Sequence, residues 1–223
     1  MEQLAILFSI ILINFVLSGD NAVVIAMASR RLPPARQRAA IFIGSAGAII
    51  LRLVLTAVIV LVLKIPFLQA AGGILLVYLA MKLLKPEDSE DCTKSAGSLA
   101  EAIKIIIVAD LIMSLDNTLA IAAVSKGNWT LLIIGLATSI PIIIFCSSII
   151  LYFMKKFPVI LYIGAGILGW TGGEMLVEDK KLGHLLQTHL TGSGLDGIIT
   201  IAAPALITLA VIMRGLTANY AKR

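Results

Sequence analysis

Charged residues are scarce in this chain of 223 residues, since Asp, Glu, Lys and Arg make up only 14% of it while 59% is hydrophobic. A soluble domain is typically about a quarter charged, so the composition excludes a water-soluble globule. A helix needs about 20 consecutive apolar residues to cross a hydrocarbon core. The apolar windows therefore predict an all-α membrane protein with about seven transmembrane helices, at 3–29, 39–63, 67–84, 99–125, 130–154, 158–178 and 196–213.

Cysteine and histidine are rare as well, with two of each in the whole chain. Cys92 and Cys146 form no CxxC pair and no disulfide framework. The Gly-x-x-x-x-Gly-Lys-[Ser/Thr] loop of nucleotide-binding proteins is missing, and the seven windows leave no room for a soluble domain that would hydrolyse ATP. We therefore expect no catalytic cofactor, and we expect any transport to draw its energy from an ion gradient.

Lysine and arginine give the chain a net charge of +5 and are concentrated in alternate loops. In a soluble protein this charge would suggest nucleic acid, but basic loops of a membrane protein face the cytosol, so no nucleic-acid partner is expected. The bias predicts a multi-pass protein of a bacterial inner membrane, with the amino terminus outside and the carboxyl terminus in the cytosol. The basic residues assigned to cytosolic loops are Arg30, Arg31, Arg36, Arg38, Lys82, Lys85, Lys94, Lys155, Lys156, Arg214, Lys222 and Arg223.

The chain also contains an internal repeat. The segment LSGDNAVVIAMASR at 17–30 aligns with MSLDNTLAIAAVSK at 113–126, with six identical positions. Because each copy holds three spans, an odd number, the second copy has to cross the bilayer in the opposite sense, which is a transporter architecture. The predicted organisation is a first three-helix repeat at 1–85, a cytosolic loop at 86–98, an inverted three-helix repeat at 99–179, an external loop at 180–195, and a seventh helix with a cytosolic tail at 196–223.

Polar side chains inside the predicted spans are the functional candidates, because an ionisable group is expensive in hydrocarbon. Asp20 and Asp116 occupy equivalent positions in the two copies, so we predict that both carboxylates reach one metal ion. Gly19 beside Asp20 predicts a local break of the helix that frees carbonyl oxygens, and a weaker break in the second copy, which has Leu115 there. Helical i, i+4, i+7 spacing gives one stripe in each copy: Asn14, Ser18 and Asn21, and Asp110, Ser114 and Asn117.

These oxygen-rich stripes predict the class of ligand. Carboxylate, amide, hydroxyl and carbonyl oxygens suit hard cations such as Mn²⁺, Mg²⁺ or Ca²⁺, whereas Zn²⁺ and Cu²⁺ favour His or Cys. Arg52 is expected to neutralise a buried acid, and Glu174 to act as ligand, proton carrier or partner of a basic residue. The alternative is that the polar residues only form hydrogen bonds between helices. The predicted metal ligands are Asp20, Asn21, Asp116, Asn117, Asp110, Ser18, Ser114 and Glu174.

The motifs at 17–23 and 114–117 resemble those of the TerC family, in particular its YjbE-type branch. The segment GAGILGWTGGEM at 164–175 is similar to that family's sixth helix, and ILRLVLT at 50–56 is similar to its second. The resemblance covers nearly the whole chain. It implies a seven-helix exporter of the broader LysE superfamily, associated with Mn²⁺ efflux and the supply of metal to extracytoplasmic enzymes. It also implies that Asp20, Asn21, Asp116 and Asn117 are metal ligands.

The leading hypothesis is secondary export of a divalent cation, most of all Mn²⁺, with proton exchange on buried carboxylates as the coupling. A passive cation channel is the first alternative. An intramembrane aspartyl protease is a weaker one, because two aspartates can share a proton but position 17 is Leu17 where such proteases have Gly. The chain is therefore not expected to be an enzyme. Its expected partners are the divalent metal ion and the lipid bilayer, and the sequence leaves the oligomeric state open.

Overall fold

The computed structural model describes residues 6–12, 19–62, 65–85, 98–124, 128–179, 181–182 and 196–220. Within these residues the chain is almost entirely helical and holds no strand. Residues 6–12 are helical and precede the first labelled helix. The labelled helices are α1 (Gly19–Ser29), α2 (Pro34–Val62), α3 (Leu68–Leu84), α4 (Leu99–Val124), α5 (Trp129–Lys156), α6 (Val159–Glu178) and α7 (Asp196–Tyr220).

Several of these helices have the length and composition of membrane spans. In the described part of the chain, four stretches meet both criteria: Pro34–Ile59, Trp129–Lys156, Val159–Glu178 and Thr200–Ala218. Helix α3 is apolar but shorter, with 17 residues. The prediction of an all-α membrane protein is confirmed at this level, and α1 to α7 follow the order of the predicted windows. The count of seven crossings stays a prediction.

Two helices extend further into basic sequence than hydropathy predicts. Helix α2 begins at Pro34 rather than near residue 39, since proline is favoured at the first helical position, so Arg36 and Arg38 lie in a helix and not in a loop. Helix α7 continues past the predicted end at 213 and includes Arg214. Backbone hydrogen bonding does not stop where the apolar residues stop. Helix α2 therefore starts before its apolar window, and helix α7 ends after its own.

Contacts between helices divide the chain into two compact units. The first unit comprises Met1–Val62 and Glu90–Phe157, and the second comprises Leu63–Ser89 and Pro158–Arg223. Helices α1, α2, α4 and α5 thus form the first unit, and α3, α6 and α7 form the second. Each unit combines helices from both halves of the predicted repeat. The predicted loops at 86–98 and 180–195 lie almost wholly outside the described residues.

In the first unit, α2 and α4 run side by side in the same direction. A Cβ atom added at Gly44 would lie 2.8 Å from Ile106 Cδ1, and further along both helices Arg52 lies 2.8 Å from Asp110. Because these contacts follow the same order in both helices, α2 and α4 are parallel neighbours.

One end of the first unit is held together by the buried side chain of Gln37. Its Nε2 donates to the Leu32 carbonyl oxygen at 2.7 Å, and its Oε1 accepts from Lys155 Nζ at 2.8 Å. Leu32 also packs with Ala40 and Ala102. The turn after α1, the starts of α2 and α4 and the end of α5 therefore lie together. We call this the basic end, after Arg30, Arg31, Arg36, Arg38, Lys155 and Lys156.

In the second unit, α3 and α6 pack antiparallel through glycine. Gly73 and Gly172 face each other so closely that a Cβ atom on either would collide with the backbone carbonyl oxygen of the other. Nearer the opposite helix ends, the buried Asp179 carboxylate accepts a hydrogen bond from the Ala70 backbone N–H at 3.2 Å. Small residues let membrane helices approach closely and gain van der Waals contact.

The other face of α6 packs against α7 in the same way. A Cβ atom added at Gly173 would lie 2.5 Å from Pro204 Cα, and one at Gly169 would lie 3.2 Å from Thr208 Cα. Along this interface the residue numbers rise in α7 as they fall in α6, so these helices are antiparallel as well. Helix α6 is thus the centre of the second unit, with glycine on both of its packed faces.

Substitution of Gly172 should destabilise the protein. In Gly172→Ala the new Cβ would lie 2.8 Å from both the Gly73 carbonyl oxygen and Val77 Cγ2, and overpacking typically costs about 1–3 kcal/mol. The control is Gly166→Ala on the same helix, where the nearest atom is 3.5 Å away. We expect the melting temperature in detergent to fall for Gly172→Ala only. Equal melting temperatures of the two variants would contradict this packing.

Candidate functional site

A buried ion pair joins α2 to α4 in the first unit. Arg52 Nη2 lies 2.8 Å from Asp110 Oδ1, and the two side chains are only 2% and 7% exposed. The Ser114 hydroxyl donates to Asp110 Oδ2 at 3.2 Å, so both oxygens of this carboxylate have a partner. Since an unpaired charge is expensive inside a membrane, the pairing is what allows both charged groups to stay buried.

The first turn of α1 brings a second carboxylate toward this pair. Asp20 is half-buried, its Oδ1 accepts from the Asn21 backbone N–H at 2.8 Å, and its charge interacts with those of Asp110 and Arg52. The Asn21 side chain is 1% exposed, and neither polar atom of its amide has a hydrogen-bond partner among the described residues. Gly19 and Asp20 are the first two residues of α1 and the residues before them lie outside the description, so the predicted break at Gly19 stays a prediction.

Helix α4 presents a polar face toward the interior of the first unit. Asp110, Ser114 and Thr118 follow one another at intervals of one helical turn, and all three are buried. Asn117 on the same helix is half-buried. The helix is continuous through this region, and the comparison with the first copy stays a prediction. Asp116 lies in the same helix, but its side chain is outside the description.

Some of the predicted ligands lie outside the described residues, or have side chains that do. Ser18, like Asn14, lies outside the described residues, and the sharing of one metal ion by Asp20 and Asp116 stays a prediction. Among the side chains that are described, no three His, Cys, Asp or Glu residues gather into a metal-binding group. Glu174 is half-buried on α6 and belongs to the second unit.

Among the buried polar residues of the first unit that sequence reasoning did not single out, three have hydroxyls without a hydrogen-bond partner among the described residues: Ser29, Ser45 and Thr118. Ser29, Ser45 and Thr118 are each at most 1% exposed. Thr118 follows Ser114 by one turn, and Ser45 precedes Arg52 by two turns. A search for polar residues at four and seven positions from each polar or charged residue of a span would have found both, because these spacings share a helix face. Ser29 gives no such signal, since it looks like the polar end of an apolar helix.

The arrangement offers oxygen donors of the kind that hard cations accept. The Asp20 carboxylate and the free amide of Asn21 are neighbours at the start of α1, within charge interaction of the Arg52–Asp110 pair. Asp110 has both oxygens engaged, so its observed role is to hold Arg52. Asp20 and Asn21 are thus the described residues best suited to hold a metal ion.

Removing one charge of the Arg52–Asp110 pair should destabilise the protein more than removing both. Breaking a buried pair leaves an uncompensated buried charge, which costs about 3–5 kcal/mol. We expect Arg52→Met and Asp110→Asn each to lower the melting temperature in detergent, and the double variant to recover part of the loss. Exposed Arg38 on the same helix supplies the control Arg38→Met, which should change little. Additive losses in the double variant would contradict the pairing.

Comparisons with known proteins agree with the resemblance seen in the motifs. Residues 1–223 match the family described as "Integral membrane protein TerC family". The chain is 45% identical over 208 residues to the uncharacterized membrane protein YjbE of Bacillus subtilis (strain 168), a match that covers 93% of this chain and 95% of that protein. It is 27% identical to the uncharacterized membrane protein YkoY of the same organism, over 85% of this chain and 65% of that protein. No solved structure matches.

A more distant relative is the inner membrane protein YgdQ of Escherichia coli (strain K12), which is 24% identical over 75% of this chain and 78% of its own length. The family match spans all of α1 to α7, and the match to YjbE spans nearly all of both chains. The resemblance predicted from the repeated Asp-Asn motifs is therefore confirmed, and the chain belongs to the TerC family of integral membrane proteins.

Proposed function

We propose that this protein is a secondary transporter that exports a divalent metal cation, with Mn²⁺ as the foremost substrate. The observation that carries the proposal is the amide of Asn21, which is 1% exposed and has no hydrogen-bond partner among the described residues. A buried polar group without a partner is destabilising by about 1–3 kcal/mol. Beside the carboxylate of Asp20, this amide is suited to coordinate a cation that enters the site.

The charges around the site favour a hard cation. The charge of Arg52 is neutralised by Asp110, so this arginine does not depend on the carboxylate of Asp20 for a counter-charge. We propose that Asp116, at the position equivalent to Asp20 in the repeat, supplies the second negative charge that a dication requires. Asn117, equivalent to Asn21, would supply the second amide. Oxygen ligands of this kind suit Mn²⁺, Mg²⁺ and Ca²⁺.

The packing supports an inverted repeat of three spans. If α1, α2 and α3 correspond to α4, α5 and α6, then the contact of α1 with α5 corresponds to the contact of α4 with α2. Both contacts are present. Under the same correspondence, the contact of α3 with α6 corresponds to itself, and it is present as well. Helices α2 and α4 are parallel, and one apolar helix, α3, lies between them in the sequence, which fits three spans in each copy of the repeat. We therefore propose seven crossings in total.

The distribution of basic residues supports the orientation. The turn after α1 and the end of α5, which carry basic residues, lie together at the basic end of the first unit. In the second unit, Leu84 at the end of α3 contacts Gly215 of α7, so Lys82, Lys85 and Arg214 share one end of that unit. Basic residues favour the cytosolic side. We propose a bacterial inner-membrane protein with the amino terminus outside and the carboxyl terminus in the cytosol.

Export of a dication requires an energy source. Moving two charges against an inside-negative potential costs about 4.6 kcal/mol per 100 mV. Carboxylates that release the metal ion can take up protons in its place, which would couple export to proton entry. The proposal therefore includes exchange of the metal ion for protons on Asp20 and Asp116.

Asp20→Asn should abolish Mn²⁺ transport while leaving the protein folded. The amide keeps the size of the side chain but removes the charge that attracts a dehydrated dication. Asp116→Asn should have the same effect. Uptake into proteoliposomes, followed with a Mn²⁺-quenched dye, measures the loss. The control is Glu178→Gln, an exposed acid at the end of α6, which should retain transport. Near-normal transport by Asp20→Asn would refute the ligand assignment.

Mn²⁺ uptake by the unmodified protein should saturate and should move protons in the opposite direction. A carrier binds its substrate on every cycle, whereas a channel conducts without such a limit. A pH-sensitive dye enclosed in the proteoliposomes should report alkalinisation as Mn²⁺ enters, and Asp20→Asn should abolish the signal. A voltage-dependent conductance that rises linearly with Mn²⁺ concentration would favour a channel instead.

A further inference from the structure

Four buried, uncharged side chains of the first unit have polar atoms without hydrogen-bond partners among the described residues. They are Asn21 and Ser29 on α1, Ser45 on α2 and Thr118 on α4. Each is at most 1% exposed. The three helices that carry them all contact one another. A cluster of such groups on neighbouring helices calls for a common explanation, because buried polar groups are normally paired with protein or ordered water.

Other hydroxyls of the same unit behave differently. Thr56, Ser147 and Ser148 each donate to the carbonyl oxygen four residues earlier, at 2.7, 2.6 and 2.7 Å. This is the usual way for a hydroxyl to be satisfied within a membrane helix. Ser45 and Thr118 have the same option on their own helices, and neither makes this bond.

The four side chains are spread along the axis of the unit. Ser29 ends α1 at the basic end, and Asn21 lies eight residues before it, about 12 Å away at 1.5 Å per residue. Ser45 precedes Arg52 by about 10 Å on the same scale, which places it between the basic end and the Arg52–Asp110 pair. Thr118 lies about 12 Å beyond Asp110, away from the basic end. Together they extend over most of the roughly 30 Å of a hydrocarbon core.

We propose that Ser29, Ser45, Asn21 and Thr118 line the hydrated path along which the transported cation moves, between α1, α2 and α4. This inference rests on the proposed function and adds the route. Water or the passing ion would supply the missing partners of these groups. Hydroxyl and amide oxygens replace the hydration shell of a hard cation without holding it as tightly as carboxylates do. The path passes the Asp20 site and runs inside the first unit.

Cysteine labelling tests this route. Cys92→Ser and Cys146→Ser provide a cysteine-free background, into which Ser29→Cys, Ser45→Cys and Thr118→Cys are introduced singly. The probe is 2-aminoethyl methanethiosulfonate, which reacts with the thiolate, a form that needs water around the sulfur. The control is Leu132→Cys on α5, a buried position that is 2% exposed and packs with the apolar side chains of Ile10, Ile49 and Leu136.

We expect the three path positions to react at least about tenfold faster than the control, since thiolate forms only where water reaches, and saturating Mn²⁺ to slow this reaction. Because three separate helices are sampled, failure of one variant to fold still leaves two tests. If none of the folded path variants reacts faster than Leu132→Cys, the route is wrong, even if Asp20→Asn still abolishes Mn²⁺ transport. If they react quickly but Mn²⁺ gives no protection, the hydrated path stands and its assignment to Mn²⁺ is overturned.

Discussion

The first unit depends on one interaction, the buried pair of Arg52 and Asp110. A lone charge buried within a membrane protein is expensive, so each residue of the pair stabilises the other. The pair fixes the level at which α2 and α4 face each other, and Ser114 completes the carboxylate. Asp20 on α1 then adds a carboxylate close to a centre that is already balanced. In the proposed function, the ionised form of this carboxylate attracts the cation.

The second unit is built on a different principle. Its helices carry glycine at the contact faces, and α6 approaches both α3 and α7 closely through Gly73, Gly172 and Gly173. Such packing favours a rigid group of helices. In the described part of the chain, the buried polar atoms without partners are found in the first unit, so the proposed binding site and the close glycine packing belong to different units. Each unit takes helices from both halves of the sequence repeat, which explains why the repeat is visible in the motifs and not in the contact units.

Sequence predicted the order and approximate bounds of the helices, because the length of an apolar run is a direct consequence of membrane thickness. It also identified Asp20, Asn21 and Asp110 as buried or half-buried polar residues. It did not predict which acid Arg52 would pair with, because helical spacing says which residues share a face but not which helix lies opposite. Helix starts such as Pro34 were missed for a related reason, since hydropathy follows side chains while helix ends follow backbone hydrogen bonds.

The proposed function requires that the first unit binds a divalent cation at Asp20. Electron paramagnetic resonance of Mn²⁺ added to the purified protein measures this most directly, because the sharp signal of aqueous Mn²⁺ disappears when the ion is bound. If Asp20 binds the ion, we expect saturable loss of that signal with the unmodified protein and little loss with Asp20→Asn at equal protein concentration. Equal loss of signal with both proteins, or no loss with either, would contradict it.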